Sequence, residues 1–156
     1  MIELSRVLFP TDFSDVSLHA LTYARSFADC FSAELYVIHV VDEAFQYWMA
    51  MGPGSLPVGP RPEELVDGSR QSLDAFIREH LADIGRPIVS DVLVGRPFME
   101  IIRYAHDHEM DLIVLGTHGR GGITHALMGS VAEKVVRKAP CPVLTIRHPE
   151  HEFVMP

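Results

Sequence analysis

Apolar residues along the chain fall into two rhythms. Short, mainly apolar runs recur at Arg6–Phe9, Glu34–Val41, Pro87–Val94, Asp111–Leu115 and Pro142–Ile146. Runs of this length without alternation suit strands buried on both faces. Between them, apolar positions return at helical spacing. Leu21, Ala24, Ala28 and Phe31 define the buried face of a first helix, and Ser14 stands ahead of it as N-cap with Asp15 in the first turn. Leu65, Leu73, Phe76, Ile77 and Leu81 do the same between Pro62 and about Ile84. Phe98, Ile101, Ile102 and Ala105 mark a third helix, and Val131, Val135 and Val136 a fourth. Cys30 and Cys141 are expected to act as small buried or half-buried apolar residues.

The resulting order, strand then helix repeated to a fifth strand, predicts an α/β fold: one doubly wound domain over residues 1–156 with a five-stranded, mainly parallel sheet and helices on both faces. Right-handed crossovers reduce the topologies to a few, of which the order 3-2-1-4-5 is expected. The stretch from Asp42 to Pro62 breaks the rhythm. It holds Gly52, Pro53, Gly54, Pro57, Gly59, Pro60 and Pro62, and so reads as a long loop insertion. Tyr47, Trp48, Met49 and Met51 at its start could cover a ligand or pack beneath the loop.

Composition narrows the function classes. Apolar residues make up 47% and charged residues 22%, as in ordinary globular proteins. No apolar run reaches the length of about eighteen residues that a membrane span needs. Met1 to Arg6 lacks the basic region and long apolar segment of a signal peptide, so a cytoplasmic location is expected. The net charge of -8 repels phosphate backbones and disfavours nucleic acid, though a small phosphate ligand can still be held by backbone N–H groups. The two cysteines form no disulfide framework, and the nine histidines show no spacing that suits a metal.

In open α/β sheets ligands sit beyond the carboxyl ends of the strands. The segment after the fourth strand carries the strongest signal: Gly116-Thr117-His118-Gly119-Arg120-Gly121-Gly122, then Ile123 to Met128, then Gly129-Ser130. Glycines let the backbone approach a ligand closely. Gly129-Ser130 also stands just before a helix, whose first N–H groups are unpaired and carry a partial positive charge. That is a cradle for phosphate, and equally a plain Gly-rich turn with Ser130 as cap. Arg120 could reach a phosphate or lie in solvent. Asp12, beyond the first strand, could meet a ligand, cap the next helix, or do both.

Taken together these residues resemble the ATP-binding branch of the universal stress protein family. Gly116-x-x-Gly119, nine residues and Gly129-Ser130 carry the resemblance. So do Pro10-Thr11-Asp12-Phe13-Ser14, His39-Val40-Val41-Asp42 and Ala139-Pro140-Cys141-Pro142-Val143-Leu144, and the match spans nearly the whole chain. The resemblance implies an adenine nucleotide (ATP, or ADP or AMP) with Mg²⁺ bridging its phosphates. Asp12 would accept from the adenine amino group, Pro10 and Thr11 would shape the wall beside it, and Val40 would contact the base. Gly116, His118 and Gly119 would line ribose and phosphates, while Gly129, Ser130, Val131 and Ala132 would offer N–H groups to the phosphates. It also implies a homodimer through the last strand, with Val143, Leu144 and Ile146 at the contact.

The expected function is therefore a nucleotide-binding stress-response or regulatory protein with at most weak ATP hydrolysis. No Gly-Lys pair of a Walker loop and no Gly-x-Ser-x-Gly elbow is present. Within the glycine-rich stretch Gly116 to Gly122, His118 is the one residue that could act as a general base. Two alternatives stand beside this. One is an adenine-nucleotide α-hydrolase-type enzyme, against which the glycine-free Thr11-Asp12-Phe13-Ser14 loop counts. The other is a dimeric interaction module that has lost its nucleotide.

Overall fold

In the computed structural model, which describes residues 1–42, 62–117 and 129–147, strands and helices alternate. They run β1 (Arg6–Pro10), α1 (Asp15–Phe31), β2 (Glu34–Val41), α2 (Pro62–His80), β3 (Ile88–Val94), α3 (Pro97–Asp107), β4 (Leu112–Gly116), α4 (Ser130–Lys138) and β5 (Val143–Ile146). The sheet order is β3-β2-β1-β4-β5, and every pairing among these strands is parallel. Of the expected loop insertion 42–62, residues 43–61 lie outside the described residues, and Pro62 opens α2.

Each strand feeds two cores because successive side chains alternate between faces. Val7, Phe9, Leu35, Val37, Leu112 and Val114 face α1 and α2, whose Leu21, Ala24, Ala28, Leu73 and Phe76 fill that side. Leu8, Ile38, Ile113 and Leu115 face α3 and α4, against Ile101, Tyr104, Ala132 and Val135. Helices therefore cover both faces, as the continuous apolar runs require.

Three details depart from the sequence pattern. Phe31 is exposed rather than buried. It is the last residue of α1, at the end of the helix, where it stacks on Phe27 at 6.3 Å. Cys30 is exposed as well, beside it at the helix end, whereas Cys141 is half-buried with its thiol pushed up by burial and then by Asp111. Leu65 is only half-buried, and α2 stops at His80, although Leu81 and Ile84 beyond it remain in the core.

Both ends of α1 are closed by side chains. At the start, Ser14 Oγ accepts from Ser17 N–H at 3.2 Å. At the other end Ser32 takes φ 56°, and Arg86 donates to the carbonyls of Ala28 (2.7 Å) and Ala33 (3.1 Å). These bonds satisfy groups the helix leaves open.

Candidate functional site

The sheet order reverses between β1 and β4, since β1 leads outward to β2 and β4 leads outward to β5. A crevice opens at such a reversal, beyond the carboxyl ends of the two central strands. Pro10, Thr11 and Asp12 lie at the end of β1, and Gly116 and Thr117 at the end of β4. Val40 lies one strand over, next to last in β2, on the face packed against α3 and α4. Gly129 and Ser130 stand where α4 begins. His118, Gly119 and Arg120 lie outside the described residues, as does the rest of the loop to Met128.

The loop after β1 is held by its own bonds. Thr11 is 4% exposed; its N–H donates to Ile38 O at 2.8 Å, while its Oγ1 accepts from Phe13 N–H (3.0 Å) and from Ser17 O–H (2.8 Å). Asp12 Oδ1 accepts from both the N–H (3.1 Å) and the hydroxyl (2.6 Å) of Ser14. Asp12 thus builds the turn that starts α1, as one of its two expected uses requires. Phe13 takes φ 63°, a left-handed conformation uncommon for an aromatic residue.

The loop after β4 is closed at its base. Thr117, 5% exposed, donates its N–H to Ile146 O at 2.9 Å and accepts from Gly129 N–H at 2.6 Å. Residues 117 and 129 are therefore tied together, and the start of α4 stands fixed beside the end of β4. Glu133 N–H makes the first helical bond, to Gly129 O at 3.0 Å, so the N–H groups of Ser130, Val131 and Ala132 find no partner within the helix. No side chain caps this end, because its N-cap is Gly129. The side chain of Ala132 is buried and that of Val131 packs against the same core, so what these two present outward is backbone.

The two glycines of the site have different physical reasons. A Cβ on Gly116 would stand 2.8 Å from Val16 Cγ1 and 3.3 Å from the Val16 backbone. Gly116 therefore lets β4 run close beneath the first turn of α1, which brings the two central loops together. Gly116→Ala is expected to cost about 1–3 kcal/mol by overpacking, read as a lower urea midpoint at unchanged slope. A midpoint like that of the wild type would mean the packing there is loose.

The clear ionisation shifts among the described residues belong to structural pairs outside these loops. Tyr104 is pushed far up by burial and then by its 2.6 Å bond to Asp91. Asp83 is drawn down by the hydrogen bond from Arg25. Sequence reading gave no role of their own to Thr117, Ser17 or His39. Each carried a signal, being a polar residue in register with core positions: Ser17 falls on the line of Leu21, Ala24 and Ala28, and His39 on that of Leu35 and Val37.

Known proteins share the sequence and the fold of this chain. The profile of the universal stress protein family matches residues 3–147. The universal stress protein MJ0531 of Methanocaldococcus jannaschii is 38% identical over 148 residues, which cover 94% of this chain and 84% of that protein. The solved structure of MJ0577 from the same organism superposes with a TM-score of 0.79 at 28% identity, covering 96% of this chain and 99% of the other. Two more distant structures share the fold. One is the universal stress protein of Archaeoglobus fulgidus in complex with dAMP (TM-score 0.60, 24% identity, 94% and 99% covered). The other is a universal stress protein in complex with cAMP (0.67, 23%, 92% and 97%). With a sequence match and a superposable fold along nearly its whole length, this chain belongs to the universal stress protein family.

Proposed function

We propose that this protein binds an adenine nucleotide, ATP or its di- or monophosphate, in the crevice between the loops after β1 and β4, and acts as a regulatory or stress-response protein. The observation that carries this reading is the contrast between the two helices that start at the crevice. α1 is capped by its own Ser14, whereas α4 starts on a glycine with the N–H groups of Ser130, Val131 and Ala132 unbonded within the helix. Oriented N–H donors at a positive helix end are what a phosphate needs, whatever the net charge of the surface. Asp12, with Pro10, Thr11 and Val40, takes the base end. Gly116, His118, Gly119 and Arg120 belong to the ribose and phosphate end. That two family members of the same fold are complexes with dAMP and cAMP supports adenine as the base.

Mg²⁺ accompanies the phosphates. Mg²⁺ of this kind is carried mainly by phosphate oxygens and water. Turnover is at most slow. The β1 loop spends its hydroxyls and the Asp12 carboxylate on bonds within itself, unlike a glycine-rich loop shaped to grip a leaving pyrophosphate, and this favours binding over α-hydrolase chemistry.

The working unit is a homodimer. β5 is an edge strand carrying Val143, Leu144 and Ile146, and pairing with the same strand of a second copy would cover it. No described helix is long and apolar enough to cross a membrane, and the cytoplasm is the proposed location.

The test is to denature the purified protein and identify the small molecules it releases by chromatography and mass spectrometry. About one adenine nucleotide per chain is the expected result. An empty protein that also ignores added ATP with Mg²⁺ would leave only a dimeric interaction module.

A further inference from the structure

We propose that His39 is the positioning residue that fixes Asp12 for recognition of the adenine base, an inference that rests on the nucleotide reading above. His39 lies on β2 in register with Leu35 and Val37, facing the α1 and α2 side of the sheet. A half-buried imidazole in such a row needs a hydrogen-bond partner. Its Nδ1 stands 2.8 Å from the carbonyl oxygen of Thr11. A carbonyl only accepts, so Nδ1 carries the proton and His39 is the donor. The N–H of Thr11 is already engaged by Ile38 O, so Thr11 is held to β2 through both its amide and its carbonyl.

The same ring holds the other side of Asp12. Phe13 stacks on the imidazole with centroids 4.5 Å apart and 29° between planes, and its edge meets Phe76 of α2 at 5.7 Å and 62°. Phe13 has a left-handed φ of 63°, a conformation that persists only where the surroundings over-determine it. His39 and Phe76 supply that clamp. Asp12 therefore sits between a residue tied at its carbonyl and a residue tied by its ring, and His39 makes both ties. A site that reads a base by hydrogen bonding depends on such fixed placement.

The experiment uses the full chain and measures binding of ATP and of GTP, each with Mg²⁺, by titration calorimetry, with the melting temperature and amide exchange at Phe13 and Ser14 measured alongside. His39→Phe keeps a ring beneath Phe13 but has no donor for Thr11. It is expected to lose about tenfold in ATP affinity, the worth of one hydrogen bond, while GTP, held through its phosphates, changes little. Exchange at Phe13 and Ser14 should quicken. His39→Asn, whose side-chain N–H falls near the Nδ1 position, should restore the preference for ATP. If His39→Phe does not fold, His39→Gln, whose amide falls near the Nε2 position instead, is judged by the same criteria.

An unchanged ratio of ATP to GTP affinity in the variant would overturn the inference. So would a parallel fall in both affinities that follows the melting temperature, since that is a structural effect. A wild type that binds both nucleotides equally well would also sink it, leaving nucleotide binding intact. A wild type that binds neither removes the nucleotide reading itself and this inference with it.

Discussion

Gly129→Gln is expected to empty the nucleotide site while leaving the protein folded. Gly129 has φ -57° and ψ 150°, backbone angles open to any residue, so no conformational demand explains a glycine at this position. Nor does the N-cap role explain it, because Ser, Thr, Asp and Asn cap helices better. What glycine provides is room in front of the N–H groups of Ser130, Val131 and Ala132. A Gln side chain there would take the space a phosphate needs and could turn its own amide oxygen onto those donors. Several charge-assisted bonds would be lost together, so a fall of at least about a hundredfold in ATP affinity is expected. The cost to the helix is that of a poor cap, about 1 kcal/mol or less, and the melting temperature should fall by only about 2–4 °C. Ser130→Ala, which removes one hydroxyl and keeps every N–H, should lose about tenfold. Calorimetric titration with ATP and Mg²⁺ checks both. Wild-type affinity in Gly129→Gln would show that the start of α4 is not where the phosphates bind.

The contrast with Gly116 explains how much of this site could be read from the sequence. Both glycines stand out in the run from Gly116 to Ser130, and both were expected to serve the ligand. Only the geometry separates them: Gly116 is forced by Val16 in the first turn of α1, a contact between residues a hundred positions apart. The strand order, by contrast, was accessible because short, mainly apolar runs and intervening helical periods are local patterns, and handed crossovers leave few ways to join them. Asp12 shows a middle situation. Its place after β1 was evident, and so were its two possible uses, but the bonds from Ser14 that engage it in the turn depend on backbone angles at Phe13 that no local pattern announces. Phe31 failed for a similar reason, since helical spacing alone does not say where a helix runs out over the sheet.

Phe9→Ala should produce the largest loss of stability, and the loss should reach the site. Phe9 is fully buried in β1, the strand that pairs with both β2 and β4, and its ring stacks on Phe76 at 6.4 Å and 15°. Neighbours fixed in two strand pairings and a helix cannot close in on the space a ring vacates, so transfer and cavity costs add to about 3–5 kcal/mol. Against a total of about 5–15 kcal/mol that is about a fifth or more, and for a chain of this size it lowers the melting temperature by about 10 °C. The urea midpoint should fall at unchanged slope. Phe76 also buttresses Phe13, so the cavity loosens the clamp on the β1 loop from below. Nucleotide affinity should therefore drop although Phe9 touches no ligand. Binding and folding are linked: a ligand at about a hundred times its dissociation constant returns about 2.7 kcal/mol to any variant that still binds it. Excess ATP with Mg²⁺ should accordingly lift the Phe9→Ala midpoint by less than it lifts the wild type at the same concentration, the shortfall giving the affinity lost. An equal lift in both proteins would mean that the loop keeps its shape without Phe9, and that the aromatic stack beneath it serves stability alone.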